Sequence, residues 1–279
     1  MYEIKELPNG FEYIEIVNAV SSAKIALQGA HIYEYKRQDR DDLLWLSESS
    51  AFENGVAIRG GIPICWPRFG VLDASMPAHG FSRTSLFEFK ALKEIDAKTT
   101  ELRLVLKDSP QSRKIWDYKF ELEVAFRIGE TLEISITTNN CDTKEFMITE
   151  ALHTYFDVSE ISDVTIFGLE GSEFIDTLCD ERRVETVPIK IDAECDRVYL
   201  KSNKGIYLED KDRTLKIASE GSNSTVVWNP WIEKGSRMSG MKASAYREFV
   251  CIETANAFDD LRVIQAKESH TLSVTLAFN

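Results

Sequence analysis

Residues 119–128, KFELEVAFRI, carry an apolar side chain at every second position. Mostly charged residues fill the positions between them, which is the period of a β-strand with one buried face and one face in water. The same alternation recurs in ELRLVLK (101–107), TLEISITT (131–138) and TLSVTLAF (271–278). These four segments predict a protein built from antiparallel strands.

Shorter runs extend the pattern along the chain, namely FEYIEIV (11–17), LFEFKAL (86–92), RTLKIA (213–218), TVVWN (225–229) and EFVCIE (248–253). Ile128-Gly129-Glu130 lies between two alternating segments and predicts a tight hairpin. No amphipathic segment is longer than about two turns of helix, and the best candidate, 233–247, is interrupted by glycine and serine. We therefore predict an all-β fold with few short helices, a large antiparallel sandwich.

The chain has 279 residues and no linker-like or repeated segment, so we expect a single domain over residues 1–279. A boundary within the acidic stretch from Glu160 to Asp196 is the alternative. The 33 basic and 46 acidic residues give a net charge of −13, which argues against nucleic acid or an anionic membrane as partner. The sequence leaves the oligomeric state open, with a monomer favoured.

Features of secreted and membrane proteins are missing from the sequence. The beginning, MYEIKELPNG, lacks the basic and apolar regions of a signal peptide, and no apolar run approaches the roughly 20 residues of a membrane helix. The five cysteines are widely spaced and form no CxxC pair, which is typical of reduced thiols. We expect a cytoplasmic protein.

Residues 55–80 do not follow the strand pattern, because they contain five of the 14 glycines and three of the seven prolines. In and beside this loop, Arg59, Arg68 and Arg83 face a single acid, Asp73. Guanidinium groups bind phosphate oxygens in two-point fashion, so the cluster predicts an anion site. The alternative is that each arginine pairs with one of the many acids.

Aromatic residues of the same region have two interpretations. Trp66, Phe69 and Phe81 could form a platform on which a sugar ring stacks, or they could pack in the core. The sequence does not choose between these.

Two of the four histidines, His79 in PAHGFSR and His153 in EALHTYF, are candidates for proton transfer. His31 and His270 are expected to be structural. No HxH or HxxxH spacing suggests a metal site, and the phosphate loop GxxxxGK[ST] and the dinucleotide motif GxGxxG are both missing from the sequence.

Glu253 is the most unusual carboxylate. If EFVCIET is a strand, Glu253 shares one face with Phe249 and Cys251, where burial would raise its pKa toward the range of a general base. The alternative is a frayed strand end with a solvated carboxylate. Asp196, which begins DRVYL, could accept hydrogen bonds from ligand hydroxyls or pair with Arg197.

Six motifs in order, IRGGIPICWPRFG, PAHGFSR, EALHTYF, DRVY, VVWNPW and CIETAN, resemble the glucose-6-phosphate 1-epimerase family of the galactose-mutarotase-like superfamily. The resemblance extends from about Gly10 to Asn279. It implies a β-supersandwich, no cofactor, and reversible interconversion of the α and β anomers of a hexose 6-phosphate, a small-molecule partner.

The resemblance also implies catalytic roles. His153 would be the general acid and Glu253 the general base, opening the ring by proton transfer to the ring oxygen and from the O1 hydroxyl. Rotation about C1–C2 and reclosure would give the other anomer. Because opposite charges favour each other's ionised forms, we expect His153 to start protonated and Glu253 ionised.

The binding roles follow from the same motifs. His79 and Asp196 would position sugar hydroxyls, and Arg59 and Arg83 would hold the phosphate. Arg68, at a position where we expect the family to vary, is a further phosphate candidate.

Three other functions remain open at this point. The same chemistry could act on neutral aldoses, although the arginines argue against it. A sugar-phosphate-binding protein without activity could use the same scaffold. Glycoside hydrolysis would usually require two carboxylates about 5 to 9.5 Å apart.

Overall fold

The computed structural model describes residues 1–71, 75–202 and 205–279. The first eleven strands are β1 (Tyr2–Glu6), β2 (Glu12–Val17), β3 (Ser21–Ala26), β4 (His31–Arg37), β5 (Ile64–Cys65), β6 (Glu88–Asp96), β7 (Thr99–Lys107), β8 (Phe120–Ile128), β9 (Leu132–Asn140), β10 (Phe146–Ile148) and β11 (Glu150–Leu152). The other eleven are β12 (Tyr155–Asp157), β13 (Thr165–Phe167), β14 (Glu173–Asp176), β15 (Glu181–Val184), β16 (Cys195–Leu200), β17 (Ile206–Asp210), β18 (Arg213–Glu220), β19 (Ser224–Asn229), β20 (Phe249–Asn256), β21 (Arg262–Ile264) and β22 (Ser269–Phe278).

Helices are few and short. The α-helices are α1 (Ser112–Ile115) and α2 (Trp231–Arg237), and 3-10 turns occur at Ser82–Thr84, Ile161–Asp163, Ala245–Arg247 and Phe258–Asp260. The segment that offered the best helical pattern, 233–247, contains most of α2 and one of these turns. Among the described residues, no helix is both long and apolar enough to cross a membrane.

The strands form two large antiparallel sheets, as the alternating pattern predicts. The front sheet has the order β15-β14-β16-β19-β20-β11-β5, and β12 also pairs with β20. The back sheet has the order β13-β17-β18-β22-β9-β8-β7-β6. A four-stranded N-terminal sheet, β1-β2-β3-β4, and the pair β10-β21 complete the architecture, which confirms the all-β prediction.

The four long alternating segments lie side by side or near one another in the back sheet. Their alternate residues are buried, as in β8, where Leu122, Val124 and Phe126 are inaccessible to solvent. Ile128 pairs with Leu132, so a hairpin through Gly129 joins β8 to β9 as predicted. The period-two pattern thus reports the buried face of this sheet.

The front sheet differs because its central strands, β19 and β20, are buried on both faces. Val250 and Ile252 of β20 pack into the core shared with the back sheet, whereas Phe249 and Cys251 belong to a second apolar cluster on the opposite face. All eight residues of β20 are buried, including Glu253. The predicted division of this strand into two faces is confirmed, and the idea that its end is frayed and solvated is wrong.

The glycine-rich segment runs as a loop along the edge of the front sheet, and only Ile64–Cys65 forms a strand among its described residues. Gly80 bridges to Trp66 within the loop. At Gly80 φ is +74°, and an added Cβ would lie 2.1 Å from the Trp66 carbonyl oxygen. Glycine is therefore required where the loop crosses itself.

Candidate active site

A cavity of about 600 Å³ lies over the face of the front sheet that points away from the back sheet. Roughly 300 to 1,000 Å³ is the usual size for a pocket that holds a small ligand. The lining of the cavity in this protein combines charged, imidazole and aromatic groups, among them Arg59, Phe69, His79, Arg83, His153, Tyr155, Asp196, Trp228, Lys234 and Glu253.

Strand pairing places the floor of the cavity. Val198 of β16 pairs with Val226 of β19, which pairs with Glu253 of β20. One step along the strands, Trp228 of β19 pairs with Asp196 of β16. Residues paired directly across strands share a face, so these side chains project together into the cavity.

His153 and Glu253 meet at this floor although 100 positions separate them in sequence. β11 pairs with β20, and His153 follows β11 directly, with its amide donating to the Pro63 carbonyl. His153 Nε2 lies 3.4 Å from Glu253 Oε1. The group that faces Glu253 is thus an imidazole and not a second carboxylate.

Both members of this pair are deeply buried, with side chains 12% and 2% exposed. His153 Nδ1 and Glu253 Oε2 have no hydrogen-bond partner among the described residues. Buried polar atoms are nearly always satisfied in folded proteins, so unsatisfied ones at the floor of a cavity indicate a functional site.

Burial governs the protonation of the pair. Desolvation holds the pKa of His153 well below its usual value, and the nearby charges of His79, Arg83 and Arg59 lower it further. Desolvation raises the pKa of Glu253 well above its usual value, and the charge of Asp196 adds to the effect. Burial therefore shifts the pair toward neutral His153 and protonated Glu253, the direction opposite to the ion pair expected from sequence.

Aromatic rings hold the imidazole in place. Tyr155 stacks on His153 with ring centroids 4.8 Å apart and an interplanar angle of 8°. Trp228 meets His153 edge to face at 5.9 Å. A ring packed on two sides has few alternative rotamers, so His153 is fixed toward Glu253.

Asp196 lines the cavity, and its partner is not the neighbouring arginine. Lys234 Nζ, from α2, lies 3.6 Å from Asp196 Oδ2 and 3.0 Å from Glu194 Oε1. Arg197 is on the other side of β16 and pairs with Glu185 at 3.2 Å. Burial raises the pKa of Asp196, while the charge of Lys234 acts to lower it.

His79 stands at the loop side of the cavity in a left-handed backbone conformation, with φ of 62°. Its ring centroid is 5.8 Å from that of His153 and 5.2 Å from that of Phe69. Burial and the charges of Arg83 and Arg59 lower its pKa to about 4. A neutral imidazole here can donate one hydrogen bond and accept another.

Arg59 and Arg83 both line the cavity, but Arg68 does not. Arg59 Nη1 donates to the Tyr155 hydroxyl at 3.4 Å, and Arg83 Nη2 donates to the Ala78 carbonyl at 2.7 Å. Within the described part of the chain, neither Arg59 nor Arg83 pairs with a carboxylate. Asp73, counted against these arginines above, lies outside the described residues.

Arg68 is the candidate that the structure separates from the others. Its Nη1 lies 3.5 Å from Ser75 Oγ, outside the cavity lining. The aromatic platform is also reduced to one member, because Trp66 and Phe81 are buried in the core and only Phe69 reaches the cavity. The core interpretation holds for the other two rings.

Tyr155, Trp228 and Lys234 are cavity residues to which sequence reasoning assigned no role. The motifs EALHTYF and VVWNPW contain the first two, and Tyr155 lies two positions after His153, the spacing of residues on one face of a strand. Lys234 carries no comparable signal, because its place depends on how α2 packs. No cluster of three or more metal-ligand side chains occurs in the residues described by the structure.

The chain is similar to known proteins over most of its length. Residues 12–277 match the family model described as aldose 1-epimerase. A protein of Escherichia coli K12 with the provisional name glucose-6-phosphate 1-epimerase is 37% identical over 257 residues, covering 89% of this chain and 84% of that protein. A protein of Cenchrus ciliaris with the same provisional name is 33% identical over 266 residues, covering 91% and 80%.

Among solved structures, a Salmonella typhimurium protein provisionally described as a mutarotase superposes with a TM-score of 0.92. It is 33% identical, and the alignment covers 99% of this chain and 93% of that protein.

Proposed function

Because this chain belongs to the aldose 1-epimerase family and interconverts sugar anomers, we propose that its substrate is a hexose 6-phosphate, with glucose 6-phosphate as the reference compound. The observation that carries the proposal is the position of Arg59 and Arg83. Both lie in the lining of the same cavity as the His153–Glu253 pair. In a chain with 46 acidic residues, neither arginine is paired with a carboxylate in the described structure. Two guanidinium groups held without an acidic partner suit a phosphate dianion.

In this proposal the sugar ring lies over the floor of the cavity. Glu253 takes the proton of the O1 hydroxyl, and His153 gives a proton to the ring oxygen, so that the C1–O5 bond breaks and an aldehyde forms. Rotation about C1–C2 and the reverse transfers close the ring as the other anomer. A positioned acid or base contributes roughly 100- to 10,000-fold to such a step.

Asp196 and His79 would bind hydroxyl groups of the same ring. Asp196 is an acceptor whose charge is supported by Lys234, and neutral His79 can both donate and accept. Trp228 and Phe69 contribute apolar surface beside them. Sugars combine hydroxyl edges with apolar ring faces, so this mixture fits a pyranose.

Anomer exchange measured by magnetization transfer with glucose 6-phosphate and glucose tests the substrate. We expect kcat/KM to be at least about tenfold higher for the phosphate, because charge-assisted hydrogen bonds contribute roughly 1.5–3 kcal/mol each. Arg83→Met should lower kcat/KM for glucose 6-phosphate by about 10- to 100-fold, whereas Arg127→Met, an exposed arginine of β8, should not. Equal efficiency on both sugars would favour a neutral aldose as substrate.

We further propose that the protein works in the cytoplasm. All five cysteines are free thiols, and three of them, Cys65, Cys195 and Cys251, are buried. Free thiols are typical of proteins in reducing compartments.

A further inference from the structure

The two arginines of the cavity are each connected to an imidazole through one intervening group. Arg59 contacts the hydroxyl of Tyr155, whose ring stacks on His153. Arg83 contacts the carbonyl of Ala78, the residue before His79, and the His79 ring meets His153 edge to face. The cations that would bind the substrate anion are therefore neighbours of the proposed proton donor.

These cations act against protonation of the donor unless an anion compensates them. Positive charge near an imidazole disfavours its protonated form, and Arg59 and Arg83 lower the pKa of His153 in addition to the effect of burial. The remaining groups around the pair do not offset this. His79 lowers the same pKa, and Asp196 raises that of Glu253. Burial and these charges together favour a neutral imidazole and a protonated carboxyl group.

The third cation of the cavity lining does not need a ligand to balance its charge. Lys234 lies within 3.6 Å of Asp196 and 3.0 Å of Glu194, so acids already surround it. Of the three lining cations in the described structure, only Arg59 and Arg83 are left with uncompensated charge. A dianion carries the two negative charges that would compensate them.

We propose that the anion held by Arg59 and Arg83 activates the proton pair as well as anchoring the substrate, by moving one proton from Glu253 to His153. This rests on the proposed function. The proton leaves Glu253 Oε1 and is received by His153 Nε2, 3.4 Å away, so the pair keeps its proton count. The resulting carboxylate then accepts the O1 proton while the imidazolium protonates the ring oxygen. The electron pair of the C1–O5 bond goes to that oxygen, and C1=O1 forms.

One kinetic consequence separates activation from anchoring. If the bound anion only anchors the substrate, it affects the reaction only when it is covalently attached to the sugar. If it activates the proton pair, it should also act as a separate molecule. Inorganic phosphite should therefore accelerate anomer exchange of unphosphorylated glucose. Sodium chloride at equal ionic strength should not, because screening of exposed charge does not supply a bound dianion.

The first measurement is kcat for glucose with increasing sodium phosphite at about pH 7.5, where an unperturbed imidazole is mostly neutral. We expect an increase of about tenfold or more, since one pH unit of change in an ionisation equilibrium is a tenfold change in the population of the active form. Arg127→Met should respond as the wild type does. Unchanged or reduced kcat in saturating phosphite would overturn the inference.

Arg83→Met gives an independent comparison. Removing this positive charge, like compensating it with an anion, should favour protonation of His153. The kcat for glucose without phosphite should therefore rise, and the response to phosphite should be largely lost. An anchoring role alone predicts no gain on glucose. Arg127→Met, which removes an arginine outside the cavity lining, should keep the low rate on glucose.

Nitrogen-15 spectra of the His153 imidazole provide the direct readout. Phosphite should move the titration of His153 to higher pH by about one unit or more, an effect that a purely structural arginine would not produce. If glucose 6-phosphate is preferred but phosphite changes neither kcat nor the His153 signals, the inference fails and the proposed function stands. If glucose 6-phosphate is not preferred over glucose, the proposed function itself fails.

Discussion

At the scale of single residues, the decisive property of the site is the burial of Glu253. Glu253 lies on β20 and is buried between Cys251 and Ala255, which share its face of the strand. The second apolar cluster that contains these neighbours removes water from the carboxyl group, and desolvation favours its neutral form. A carboxylate with a raised pKa is a stronger proton acceptor, which suits reversible proton transfer.

Glu253→Gln tests this residue with little change of shape. Because burial favours the neutral form of the carboxyl, a neutral amide should be accepted without loss of stability, and the melting temperature should be unchanged or higher. Anomer exchange should fall roughly 100- to 10,000-fold, as expected for loss of a general base. Normal sugar-phosphate binding combined with normal exchange in this variant would remove Glu253 from the mechanism.

Lys234 is tested by the pH dependence of substrate affinity. Its charge lowers the pKa of Asp196 against the effect of burial, so in Lys234→Met this pKa should rise. Asp196 would then become protonated at a higher pH. As the pH is lowered, KM should therefore begin to increase at a higher pH than in the wild type. KM profiles from about pH 5 to 8 measure this, and Lys234→Arg, which keeps the charge, is the matched control.

At the scale of elements, the loop 55–80 determines where His79 and Arg83 stand. The Trp66 carbonyl accepts the amides of both Phe81 and Ser82, at 3.1 and 3.2 Å, so it cannot move away from Gly80. The close contact between Gly80 and the Trp66 carbonyl thus fixes the backbone beside His79 and Arg83, which line the cavity. The glycine content of the sequence reflects this crossing.

Gly80→Ala should therefore destabilise the protein by roughly 2–5 kcal/mol, the sum of a left-handed backbone penalty and a backbone clash. Gly55→Ala is the matched comparison. Gly55 also has a positive φ, +87°, but no atom lies within 4 Å of an added Cβ, so only the backbone penalty of about 1–2 kcal/mol applies. Urea unfolding measures both, and equal losses would contradict the role of the crossing.

At the scale of the whole molecule, a second buried carboxyl lies at β11 and does not line the cavity. Glu150 is inaccessible to solvent, and His270 Nε2 is 3.5 Å from its Oε1. Burial raises the pKa of Glu150 to about 8, with Arg262 partly opposing the effect. Folding therefore favours the protonated acid.

The free energy of unfolding should consequently depend on pH. A carboxyl whose pKa is higher in the folded state contributes fully below its unfolded pKa of about 4.5, and that contribution is lost as pH rises toward 8. Glu150→Gln should be similar to the wild type at about pH 5 and more stable by several kcal/mol at about pH 8.5. Denaturant titrations at the two pH values measure this, and a constant difference between the proteins would count against it.

Much of the fold is a local property of the sequence, and it was predicted for that reason. The alternation in KFELEVAFRI encodes a buried and an exposed face of β8 whatever its partners are, and the hairpin at Gly129 follows from its immediate neighbours. The motifs also singled out six candidate residues that the structure places in the lining of one cavity, namely Arg59, Arg83, His79, His153, Asp196 and Glu253.

What only the tertiary structure decided depends on residues far apart in the chain. The approach of His153 to Glu253 results from the pairing of β11 with β20, and the place of Lys234 from the packing of α2. The position of Arg68 outside the cavity that Arg59 and Arg83 line likewise depends on the path of the loop in three dimensions. The pKa shifts of the pair also run opposite to the expectation. Desolvation is produced by every atom packed around a group, and a linear sequence does not record which atoms those are.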